Sequence, residues 1–99
     1  MVKHIVLFKL KNTDSPESKL EVMNNFKIAI EALPATIPFI RKIEVGLNTN
    51  PEEVYDIALY SEFDSLEDVK AYSTHPDHVA AGKIIADAKE SRACVDYEF

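Results

Sequence analysis

Lys3-His4-Ile5-Val6-Leu7-Phe8-Lys9-Leu10-Lys11 is the stretch whose reading decides the fold. His4, Val6, Phe8 and Leu10 alternate with Lys3, Ile5, Leu7, Lys9 and Lys11, the period of a β-strand with β-branched residues at its middle. Both faces are apolar at the centre, so both must be covered. Helices from the same chain can cover one face. The other needs a second layer, which the remaining sequence has little to supply.

Working outward, Ser15-Pro16-Glu17 opens a helix, with Ser15 as N-cap, Pro16 at the first helical position and Glu17 against the positive end of the dipole. Leu20, Met23, Phe26, Ile30 and Leu33 form one apolar stripe, and Pro34 and Pro38 end it. A second strand is predicted from Phe39 to Leu47, a turn at Asn48-Thr49-Asn50-Pro51, and a third strand from Val54 to Phe63 with Tyr55, Ile57, Leu59, Ser61 and Phe63 on one side.

Ser65, with Asp68 three residues on, resembles a capping box and starts a short helix with Leu66, Val69 and Tyr72 inward. His75-Pro76 breaks it, and Pro76 begins a third helix with His78, Ala81, Ile85 and Ala88 on one face. A last strand runs from Ala93 to Phe99. The order strand, helix, strand, strand, helices, strand is the α+β ferredoxin-like plan, a four-stranded antiparallel sheet with helices on one face, in a single domain over residues 1–99.

Composition narrows the function classes. The 11 basic and 17 acidic residues of the 99-residue sequence give a net charge of −6, a surface that repels phosphate backbones and anionic lipid, so neither nucleic acid nor membrane is an expected partner. The apolar run Ile5–Phe8 is far shorter than the about 7–15 residues of a secretory core or the about 20 of a membrane span, which points to the cytoplasm. Cys94 is the only cysteine, so no internal disulfide forms; it reads as a small, semi-buried strand residue. Gly82, inside the third helix, reads as close packing of helix on sheet.

Val2–Lys11, Tyr55-Asp56-Ile57-Ala58-Leu59 and Phe63-Asp64-Ser65 leading to Tyr72-Ser73-Thr74-His75-Pro76-Asp77-His78 together resemble the stress-responsive α/β-barrel domain family, from Val2 to Tyr97. The resemblance implies that two such sheets pair face to face in a homodimer, a dimeric α/β barrel, which would supply the layer that the first strand calls for. Most members have no assigned activity, but a few plant members cyclise polyketides in a cavity between sheet and helices. Their catalytic histidine and tyrosine match His78 and Tyr72, and a cavity-lining histidine matches His4. The cyclases carry a tyrosine where this chain has Phe26 and a histidine where it has Ile57, so two polar pocket groups are apolar here.

All three histidines lie in two short segments. His78, near a helix N-terminus, is either a base kept neutral by the dipole or a structural tie between the two short helices. Tyr72 is either a donor to a substrate oxygen or a core aromatic with one satisfied hydroxyl. His4 faces the helix side, and His75, before proline, suits a capping role. The three imidazoles have no carboxylate or cysteine at a recognised ligand spacing, so neither metal nor cofactor is expected. The expected site has His78 and Tyr72 as catalytic pair and His4, Phe26, Ile57 and His75 as substrate-lining residues. It would perform cofactor-free acid–base chemistry, cyclase- or isomerase-like, on a small apolar carbonyl compound. Two alternatives stay open: a pocket that holds a small hydrophobic ligand without turnover, or a structural dimer module whose pocket is filled by its own side chains. A volume of roughly 300 Å³ or more reached by His78 and Tyr72 would favour the first two readings.

Overall fold

A computed structural model describes residues 1–12 and 15–99. The elements are β1 (Val2–Leu10), α1 (Pro16–Glu31), a 3₁₀ turn (Leu33–Ala35), β2 (Lys42–Leu47), β3 (Ile57–Phe63), α2 (Leu66–Thr74), α3 (Pro76–Ala86) and β4 (Lys89–Glu98). The strands form one antiparallel sheet in the order β2-β3-β1-β4, the ferredoxin-like arrangement. β1 therefore lies inside the sheet, paired with β3 on one side and β4 on the other.

Alternation along β1 sorts the side chains as the sequence predicts. Val2, His4, Val6, Phe8 and Leu10 are buried beneath the helices, and the residues between them are half-buried on the opposite face. On the helix side they meet Ile57, Leu59, Ser61 and Phe63 of β3, together with Met23, Phe26 and Ile30 of α1. Each large apolar side chain so enclosed contributes about 1.5–3 kcal/mol. Ser61 is fully buried, and its hydroxyl donates to the His4 carbonyl at 3.0 Å, which answers the cost of burying it.

The opposite face of the sheet carries no helix. Ile5 and Leu7 of β1, Ala58 and Tyr60 of β3, and Val95 and Tyr97 of β4 make a continuous apolar surface there, with Val95 53% and Tyr97 44% exposed. Lys3 stands among its aromatics, with Nζ 4.6 Å from the Phe99 ring centroid.

Several local expectations are corrected. Leu20 is 52% exposed. Lys19, four residues before Met23 and seven before Phe26, takes the inward line instead, where its ammonium meets Asp56 at 3.1 Å. Leu66 is also exposed, because it opens α2 beside a hollow at the end of the sheet rather than over it. α1 stops at Glu31, and Leu33 reaches the core from the 3₁₀ turn. β2 begins at Lys42, since Ile40 is held in a turn by its N–H to the Ile37 carbonyl. A Cβ added at Gly82 would meet nothing within 4 Å, so close packing does not explain that glycine. Cys94 is exposed rather than semi-buried, because β4 is an edge strand that the helix layer does not cover. Among the described residues, no helix is long and apolar enough to cross a membrane.

Candidate functional site

α2 and α3 place Tyr72 and His78. Ser65 caps α2, its hydroxyl accepting from the Asp68 N–H at 3.2 Å, and Tyr72 then points at the sheet. His75 ends α2 in extended backbone and caps α3, its Nδ1 accepting from the Asp77 N–H at 3.1 Å. Pro76 takes the first helical position. His78 is thereby turned back over Tyr72, with ring centroids 4.4 Å apart.

Tyr72 is completely buried, packed on Phe63 at 5.1 Å and facing His4 at 6.1 Å. Its hydroxyl is the one buried side-chain polar atom among the described residues with no hydrogen-bond partner. Burial pushes its pKa well above the ordinary tyrosine value, so the phenol keeps its proton. His78 Nδ1 lies 3.0 Å from the Ser73 carbonyl oxygen. A carbonyl only accepts, so Nδ1 carries the proton and Nε2 holds the free lone pair. Burial lowers the His78 pKa, and His4, Arg92 and His75 lower it further against the pull of the Ser73 carbonyl, which favours the neutral ring.

His4 is buried, and its Nδ1 pairs with the Asp96 carboxylate across the β1–β4 ladder. Cys94, on the same face of β4, brings Sγ to 3.6 Å from the same nitrogen. Neither neighbour follows from spacing along the chain, because 90 or more residues separate each from His4. The signal available in the sequence is the ferredoxin-like order, which sets β4 beside β1, but the register was needed to choose the residues.

The structure therefore gathers His4, Tyr72 and His78 at one end of the sheet. Phe26 and Ile57 do not join them. Ile57 pairs with Phe8, and Phe26 packs edge-on against the Phe8 ring at 5.5 Å. That is four residues, about 13 Å, along β1 from His4. His75 is a cap, half-buried at the helix junction. Three surface hollows of about 360, 150 and 380 Å³ stand out, two of them on the helix-free face around Leu7, and none is lined by Tyr72 or His78. The two rings occupy the space between themselves.

The model of the stress-responsive A/B barrel domain matches residues 2–99. The chain belongs to the stress-responsive A/B barrel domain family. Among solved structures, it is 73% identical to a dimeric protein of unknown function and ferredoxin-like fold from Bacteroides fragilis, with a TM-score of 0.96 over 99% of this chain and 95% of that one. It is 31% identical over 97 residues to the stress-response A/B barrel domain-containing protein DABB1 of Arabidopsis thaliana, a match that spans 98% of this chain but only 46% of DABB1. It is 27% identical over 99 residues to olivetolic acid cyclase of Cannabis sativa, spanning 97% of this chain and 94% of the cyclase. Family membership confirms the fold expected from the quoted segments; the proteins it resembles include both a cyclase and a protein of unknown function.

Proposed function

We propose that the protein is a homodimer whose protomers each bind a small, largely apolar carbonyl compound between sheet and helices and move a proton on it without a cofactor. The single observation that carries this reading is the Tyr72 hydroxyl, fully buried and without a partner. Leaving such a group unmatched costs about 1–3 kcal/mol, a cost that a substrate oxygen accepting its proton would remove. In this reading His78 Nε2, neutral and with a free lone pair, takes an acidic proton next to the carbonyl. Tyr72, still protonated, donates to the oxygen as negative charge gathers on it. His4 closes the site from the sheet, oriented by Asp96.

The likeness to olivetolic acid cyclase supports a cyclase- or isomerase-like reaction. The dimeric state rests on the bare apolar sheet face and on the Bacteroides fragilis relative, which is described as dimeric. A second reading, a structural dimer module, is favoured by one observation: the Tyr72 and His78 rings pack on each other, and neither lines any of the three hollows described above. Ligand access in the first reading requires the half-exposed His78 ring to turn outward.

A thermal-shift screen of small aromatic and aliphatic carbonyl compounds on wild type and His78→Ala tests the reading. The expected result is a stabilising compound whose effect is lost in His78→Ala, with the variant itself less stable by no more than about 1–2 kcal/mol. Binding and turnover that survive the substitution unchanged would overturn the site.

A further inference from the structure

At the uncovered edge of the sheet, three different donor atoms converge outside the Tyr72–His78 pair. β1 and β4 pair with His4 opposite Asp96 and Val6 opposite Cys94, so His4, Cys94 and Asp96 share one face of the ladder. His4 Nδ1, Cys94 Sγ and an Asp96 carboxylate oxygen all lie within 4.8 Å of one another. We infer that these three side chains form a binding site for a divalent cation of the zinc class.

The geometry fits without moving the backbone. A tetrahedral zinc ion with bonds of about 2.3 Å to sulfur and about 2.0–2.1 Å to nitrogen and oxygen sets its ligand atoms about 3.4–3.6 Å apart. Here Sγ stands 3.6 Å from Nδ1 and 4.0 Å from the Asp96 oxygen. The remaining edge, Nδ1 to the Asp96 oxygen, is a hydrogen bond that opens by less than a bond length when the ion replaces the proton. The exposed carboxylate has the rotamer freedom to allow it.

The donor set also selects the ion. Magnesium and calcium take oxygen ligands, whereas an imidazole, a thiolate and a carboxylate together suit zinc and its borderline-soft neighbours. Cys94 Sγ stands 4.0 Å from the Asp96 carboxylate oxygen, and the two positive charges of the ion let both side chains be anions together. On binding, the thiol proton leaves to solvent, the His4 proton moves to Nε2, and sulfur and Nδ1 each give a lone pair to the ion. Cys94 and Asp96 lie on the exposed strand, so the fourth position is open to water.

Titration of the metal-stripped, tag-free protein with Co²⁺, followed by Zn²⁺, tests the site. One Co²⁺ per protomer should bind with a thiolate-to-cobalt charge-transfer band and the strong visible absorption of a tetrahedral centre, both abolished by displacement with Zn²⁺. Cys94→Ser, at an exposed position that leaves the core intact, should lose the charge-transfer band. Asp96→Asn should weaken Zn²⁺ binding by about tenfold or more. His75→Gln should bind as wild type does. A spectrum without the thiolate band, or Zn²⁺ bound equally well by Cys94→Ser, would overturn the assignment.

Discussion

Tyr72 and His78 stand ring against ring, 4.4 Å between centroids, yet the tyrosine hydroxyl bonds to neither the imidazole nor any other described group. His78 spends its Nδ1 proton on the Ser73 carbonyl instead. The pair is thus in ring contact, tilted by 52°, but not hydrogen-bonded, and each partner keeps one unused polar atom.

The first consequence concerns the hydroxyl. Tyr72→Phe removes a buried polar atom that has no partner, so it should raise stability by about 1 kcal/mol. For a domain of this size that corresponds to about 4–8 °C in Tm. The same substitution should abolish turnover of any substrate found in the screen. Calorimetry of the variant decides it, and a lowered Tm would mean that the hydroxyl has a partner in solution.

Stability should also depend on pH through His78. Its pKa is lowered from 6.5, chiefly by burial, so the unfolded chain takes up the proton more readily than the folded one. The stabilisation is complete above about 6.5 and is lost as pH falls from there through the lower folded value. Thermal unfolding between pH 5 and 8 should show this decline in wild type and a flatter profile in His78→Asn. Identical profiles would show that His78 does not titrate as its burial implies.

Leu7 lies near the centre of the helix-free face, whereas Glu52 sits exposed in the β2–β3 connection. Leu7→Lys should break the dimer or prevent soluble folding, since it places a charge in the middle of an apolar contact. Glu52→Lys should leave the assembly unchanged. Light scattering at micromolar concentration measures both, and a clean monomer of the wild type would sink the barrel.

α1 offers a sharper test of packing. Ile30 is fully enclosed and Leu20 is 52% exposed, although both belong to the same apolar spacing in the sequence. Ile30→Ala should cost about 2–5 kcal/mol. Leu20→Ala should stay within about 0.5 kcal/mol. Denaturant unfolding of the two variants separates them, and equal losses would show α1 rotated from its described position.

Much of this fold can be read from local patterns. The β1 alternation, Ser15, Ser65 and the His75-Pro76 junction each express a period or a cap confined to a few residues, and all hold in the structure. Leu20 departs from its stripe because the rotation that buries Met23, Phe26 and Ile30 carries Lys19 rather than Leu20 onto the inward line, where it meets Asp56. The His4–Asp96 contact depends on strand register, which no local pattern encodes. The separation of Phe26 and Ile57 from His78 follows from the length of β1, a distance that a list of pocket residues does not carry.

The position of β1 between β3 and β4 has a consequence for biosynthesis. His4 and Asp96 are 92 residues apart, so the inner strand of the sheet is made first and one of its flanks is the last to arrive. Until Lys89–Glu98 leaves the ribosome, the nascent sheet presents β1 as an open edge with apolar residues on both faces. Such edges recruit other chains, and pairings of wide sequence separation form slowly. This domain is therefore most exposed to aggregation in the interval before β4 emerges to cover that edge, when chaperone binding would matter most.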